Sequence, residues 1–176
     1  EALSRIHAVG IVHRDIKPAN ILLARDQNGN VCGKLMDFGI ARFEDSEDAL
    51  TRLTTSGGSS PGTPMYMAPE QIDSKTFGRV SYATDVYAVG ILLYQMLSGE
   101  PPFTGTLTEV LNGHVNRSIP PIDLKPGQTI PTAFLNVLHR ALAKRPEKRF
   151  PSAQTFREAL LSPESSDAAT TTRVIP

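Results

Sequence analysis

The chain has 176 residues, 40% of them apolar, with 18 basic side chains balanced by 18 acidic ones. These values exclude a disordered or collagenous chain and leave no bulk charge for holding nucleic acid or a membrane surface. Its single cysteine, Cys32, rules out a disulfide framework and a multi-cysteine zinc site; no signal peptide opens the sequence, and no apolar run reaches the ~18–20 residues of a spanning helix. The expectation is a soluble cytoplasmic domain with no nucleic-acid partner and no membrane segment, burying about 68–70% of its unfolded surface.

The sequence opens in mid-pattern. Leu3 and Ile6 share one helical face, and Gly10 stops the helix as a C-terminal cap would. With no initiator Met and no capping residue ahead of it, this segment reads as the tail of a longer helix. Asn20–Ala24 is a strand candidate, turned by Asp26-Gln27-Asn28-Gly29-Asn30 so that Lys34–Phe38 pairs back against it. Cys32, between them, reads as a buried thiol. From Phe43 to Pro64 no periodicity survives, which predicts a long loop of the functional kind.

The strongest helix runs from Tyr82 to Leu97. Val86, Val89, Gly90, Leu93 and Leu97 recur at helical spacing and Gly99 ends it; being apolar nearly all round, it belongs at the centre. Weaker helices follow at Leu107–Asn112, Thr132–Ala143 and Ser152–Leu161. Residues 162–176, small and polar, read as a flexible tail. His7, His114 and His139 have no metal-ligand spacing and are assigned structural or exposed positions.

Chemistry concentrates in two places. His13-Arg14-Asp15-Ile16-Lys17-Pro18-Ala19-Asn20 packs charged and titratable groups beside a buried strand, where they cost free energy unless they act. As an anion Asp15 can orient a hydroxyl and accept its proton, Lys17 can neutralise a phosphate, and Asn20 can offer an oxygen to Mg²⁺. Asp37-Phe38-Gly39 brings a second carboxylate to the same strand end, and such hard oxygens suit Mg²⁺ carried with substrate phosphates.

With Ala68-Pro69-Glu70 these motifs stand in the order and spacing of the protein-kinase catalytic, magnesium and activation segments, and the chain resembles the large, C-terminal lobe of a eukaryotic-like (bacterial-type) serine/threonine protein kinase over residues 1–161. The implied fold is mainly α with a short β-hairpin, lacking the small lobe. The resemblance makes Asp15 the catalytic base and sets Lys17 on the transferring phosphate of ATP. It gives Asn20 and Asp37 the Mg²⁺ ions and makes Leu22 the floor of the adenine pocket. His13 and Phe38 look like a packed regulatory column, Glu70 and Arg149 like a buried ion pair, and Asp85 like a central-helix anchor. Thr63 matches the threonine that contacts the catalytic Asp and Lys in serine/threonine kinases. Arg14 resembles the arginine that pairs with an activation-loop phosphate, for which Thr54 or Thr55 is the expected acceptor. Ala19 and Gln95 give no support for basic residues ahead of the acceptor, and Pro64–Met67 suggests an apolar pocket after it.

The sequence departs from the family in one way. It has no glycine-rich phosphate loop, no strand lysine and no partner-glutamate helix. The implied partners are a protein substrate with a Ser/Thr acceptor and the missing small lobe, for which the surface around Leu22 would be an exposed apolar face. Acting alone, the fragment is expected to transfer negligible phosphate. The alternatives are a non-catalytic kinase-like docking module, against which an intact magnesium site counts, and a small-molecule kinase of the aminoglycoside or choline type, against which Thr63 through Glu70 and Arg149 count.

Overall fold

The computed structural model describes residues 1–37, 64–123 and 129–163. They are mostly helical, with one two-stranded antiparallel sheet. Helix α1 (Ala2–Ala8) ends at Gly10, whose φ of 82° is the left-handed conformation that glycine adopts without cost. A loop and a single 3-10 turn (Pro18–Asn20) lead into β1 (Ile21–Arg25), which pairs with β2 (Val31–Leu35).

The hairpin corrects the expected second strand. In the observed register Ile21 faces Leu35 and Arg25 faces Val31, so β2 starts straight after the turn and finishes before Asp37. The reason lies in Asp26: its Oδ1 accepts the N–H groups of Asn28 and Asn30, and its own N–H donates to the Asn30 carbonyl, which closes the turn tightly. Cys32 therefore lies within β2, opposite Ala24, and is half-buried rather than buried.

A 3-10 turn (Pro64–Tyr66) precedes two single-turn helices, α2 (Pro69–Ile72) and α3 (Ser74–Phe77). Helix α4 (Tyr82–Ser98) is the axis of the molecule; Val86, Tyr87 and Ile91 are fully buried, and Gly99 at φ 91° ends it. Around it pack α5 (Leu107–Asn116), α6 (Thr132–Ala141) and α7 (Ala153–Leu161). Helix α5 runs four residues beyond its expected end because Thr106 and Glu109 close a reciprocal cap at its start and Val110, Leu111, Gly113 and His114 bury along one face.

The core has three apolar clusters, and residues of α4 take part in all three. Gly90 lets α6 approach closely, since a Cβ there would stand 2.9 Å from Leu142 Cδ2. The hairpin is less covered: Leu22, Leu23 and Val31 are 50%, 71% and 62% exposed. No helix among the described residues is long and apolar enough to cross a membrane.

Candidate active site

The loop between α1 and β1 carries its polar side chains at fixed positions because its backbone is bonded to groups far away in sequence. Asp85, fully buried on α4, accepts the N–H of His13 at Oδ2 and the N–H of Arg14 at Oδ1, both at 2.8 Å. Its Oδ2 also accepts from His7 Nε2 at 2.9 Å, while His7 Nδ1 receives the N–H of Ala153 at 3.3 Å, which fixes the tautomer. Arg14 is thereby held at φ 70°, an uncommon conformation for a residue with a Cβ.

His13 is fully buried below the turn. Its Nδ1 faces the N–H of Asp15 at 3.4 Å and its Nε2 donates to the Met36 carbonyl at 3.1 Å, tying the loop to the end of β2. The N–H of Met36 donates to the Asn20 carbonyl at 2.9 Å, so both flanks of the hairpin end are fastened together. Here three expected residues meet. Lys17 Nζ stands 3.0 Å from Asp15 Oδ2 with both side chains about one-eighth exposed, and Asn20 Nδ2 donates to the Asp15 carbonyl at 2.8 Å and to its Oδ2 at 3.0 Å. Asp37, exposed and at φ 52°, follows Met36 at the same hairpin end. Leu22 lies one residue along β1, opposite Lys34.

The donor end of the Asn20 amide is thus engaged by Asp15, which turns its oxygen the other way. One amide oxygen and the Asp37 carboxylate at one hairpin end fit a hard cation that brings further oxygens with its ligand. Among the described residues no cluster of three or more His, Cys, Asp or Glu could hold a metal by itself.

A second polar group lies deeper. Glu70 and Arg149 form a two-pronged ion pair at 2.7 and 2.8 Å, with both side chains fully buried. All five guanidinium N–H groups are used, the other three on the carbonyls of Ala83, Lys144 and Ala143. The Thr84 hydroxyl donates to Glu70 Oε1 at 2.7 Å, and the guanidinium carbon of Arg149 lies 4.7 Å from the centre of the Tyr87 ring. Beside it the Tyr87 hydroxyl and His114 Nδ1 are 2.9 Å apart. Burial, aided by the Lys144 ammonium, pushes His114 down to about 4; burial likewise lowers Lys144 to about 8, with a contribution from Arg149. Tyr66, whose hydroxyl donates to Gln95 Oε1 at 2.7 Å, is raised by burial against the opposing effect of that bond.

Phe38, Thr54, Thr55 and Thr63 lie outside the described residues. Sequence reasoning placed His7, His114 and His139 at structural or exposed positions, as found: His7 sits on Asp85 with its ring stacked on Tyr82, His114 is buried and His139 is exposed; it did not foresee the bond of His7 to Asp85. His7 lies on the same helical face as Leu3, one turn on, and that spacing was the available signal. It also missed Gln71, which bonds to the Arg14 carbonyl.

Residues 1–161 match the model of the protein kinase domain. The chain is 41% identical over 150 residues to the serine/threonine-protein kinase PknE of Mycobacterium tuberculosis, covering 85% of this chain and 24% of that protein. It is 42% identical over 164 residues to Pkn1 of Myxococcus xanthus, covering 91% and 22% respectively. To PkaA of Streptomyces coelicolor it is 40% identical over 161 residues, covering 91% of this chain and 27% of that one. The chain spans about a quarter of the length of these curated relatives.

Proposed function

This chain belongs to the protein kinase domain family, and from that premise we propose that it carries the base and metal side of a serine/threonine kinase active site, on the large lobe of the catalytic domain (residues 1–161). The observation that carries the proposal is the fixed carboxylate of Asp15, partly exposed, with the Lys17 ammonium and the Asn20 amide each 3.0 Å from its Oδ2.

In this reading the Ser or Thr hydroxyl of a protein substrate binds at the solvent-facing side of Asp15, which accepts its proton as the oxygen attacks the γ-phosphorus of ATP. Lys17 balances charge on the transferring phosphoryl group. Asn20, through the oxygen its bond to Asp15 turns outward, and Asp37 would hold Mg²⁺. The ion there supplies charge neutralisation to the phosphates. Leu22 presents an apolar floor for the adenine. Arg14 pairs with a phosphorylated Thr54 or Thr55, and Thr63 steadies Asp15 and Lys17. The charge-relief and positioning parts of the family's nucleotide clamp absent from these 176 residues, a glycine-rich loop and strand lysine, come from a small lobe, without which turnover is negligible.

The test is phosphate transfer to a Ser/Thr protein substrate by the complete natural protein, with and without Asp15→Asn, beside the isolated 176-residue chain. The variant is expected to lose about 10²–10⁴-fold in kcat while its melting temperature holds. Unchanged turnover in the variant overturns the assignment and favours a docking module, whereas robust turnover by the isolated chain overturns the requirement for the small lobe.

A further inference from the structure

Gln71 follows Glu70 on α2, and its carboxamide is used at both ends. Oε1 accepts the backbone N–H of Ala68 at 3.0 Å, and Nε2 donates to the carbonyl oxygen of Arg14 at 2.8 Å, 57 positions away in sequence. The first bond is an ordinary helix cap, completed by the Gln71 N–H on the Ala68 carbonyl at 2.9 Å. The second is not required by the helix.

What it holds is a single rigid unit. The Arg14 carbonyl and the Asp15 N–H belong to one planar peptide, so fixing the oxygen fixes the plane from which the Asp15 side chain departs. At the other end of that plane the Asp15 N–H makes a long contact, 3.4 Å, with His13 Nδ1. The preceding peptide is pinned from below, by Asp85 on the Arg14 N–H, with Arg14 itself at φ 70°. A left-handed residue with a Cβ lies roughly 1–2 kcal/mol above its relaxed conformation, so the plane tends to rotate unless both ends are held.

We propose that Gln71 is a positioning residue for Asp15: it locks the Arg14–Asp15 peptide to the helix that carries Glu70, so the aim of the Asp15 carboxylate depends on the seating of the Ala68–Glu70 turn. This rests on the reading of Asp15 as the base. Seating that turn correctly sets the peptide from which the carboxylate departs, and unseating it frees that peptide and leaves Asn20 and Lys17 to hold the carboxylate without it.

Gln71→Glu separates positioning from capping. The new carboxylate caps Ala68 as well as the amide does, but it has no proton to give the Arg14 carbonyl. In the complete protein, kcat is expected to fall about tenfold with KM for ATP unchanged within about twofold, and the Ala68 amide to keep its protection against hydrogen exchange. Gln71→Leu, which loses cap and donor alike, serves as the second variant; it is expected to show the same loss in kcat together with faster hydrogen exchange at the Ala68 amide. Native kcat in Gln71→Glu overturns the inference while Asp15→Asn still abolishes transfer. Unchanged transfer in Asp15→Asn instead overturns the parent reading.

Discussion

Two acid–base pairs in this molecule sit in opposite surroundings. Glu70 and Arg149 are sealed, doubly bonded to each other, with every guanidinium N–H and a threonine hydroxyl committed to the arrangement. Asp15 and Lys17 meet at 3.0 Å, at a rim where solvent reaches both. A charge buried as the first pair is must be fully matched or the fold fails, so its chemistry is spent on architecture. The second pair stands where a newcomer can reach it, as the role proposed for it, handling phosphate and a hydroxyl, requires.

The largest effect that sharpens this contrast is expected from Arg149→Met, which strands the Glu70 carboxylate in the core. Chemical denaturation should show a loss of about 3–5 kcal/mol, with much of it recovered in the double variant Glu70→Met/Arg149→Met. A loss below about 1 kcal/mol in the single variant would erase the distinction between the pairs.

Next comes acidity. His114, beside Tyr87 in the same buried region, is held at about 4 in the folded protein against 6.5 when unfolded, chiefly by burial. Below 6.5 the unfolded chain takes up a proton that the folded one refuses, so stability is level above that pH and declines between 6.5 and 4. The depth of this decline is on the order of 3 kcal/mol. Denaturation midpoints across that range should drop in the native protein and drop less in His114→Gln.

A smaller effect tests the packing around that region. Gly113, whose carbonyl accepts from Lys144 Nζ, has no room for a Cβ, which would lie 2.5 Å from Phe103 Cγ. Gly113→Ala should lower stability by about 1–3 kcal/mol in spite of alanine's better helix propensity. The smallest effect belongs to the rim. Lys17→Met should change stability by less than about 1 kcal/mol in the same measurement, and a loss as large as that of Arg149→Met would make Asp15–Lys17 structural too.

The sequence displayed the helices whose signal is local. Tyr82–Leu97 announced itself by its apolar spacing and its terminal glycine, and the observed helix ends one residue later. The meeting of Asp15, Lys17 and Asn20 could also be read, since so short a segment with a proline in it has little freedom. The second strand was misplaced because apolar content pointed to Lys34–Phe38 whereas register is set by the hydrogen bonds of the turn. The bonding of His7 and Gln71 was invisible for a different reason. Their partners lie 78 and 57 positions away, and no periodicity encodes a pairing made only when distant elements dock.

Asp85 implies an order of events during folding. The turn that presents Asp15 derives its shape from a carboxylate some seventy positions downstream, so no local stretch of chain stores that conformation. On a ribosome, the hairpin can close as soon as Asn30 and β2 emerge, whereas the turn that carries Asp15 must wait for α4 to be made and seated. The shape of that turn therefore arrives late, together with the core, and a chain stalled before Asp85 has Asp15, Lys17 and Asn20 but no means of aiming them.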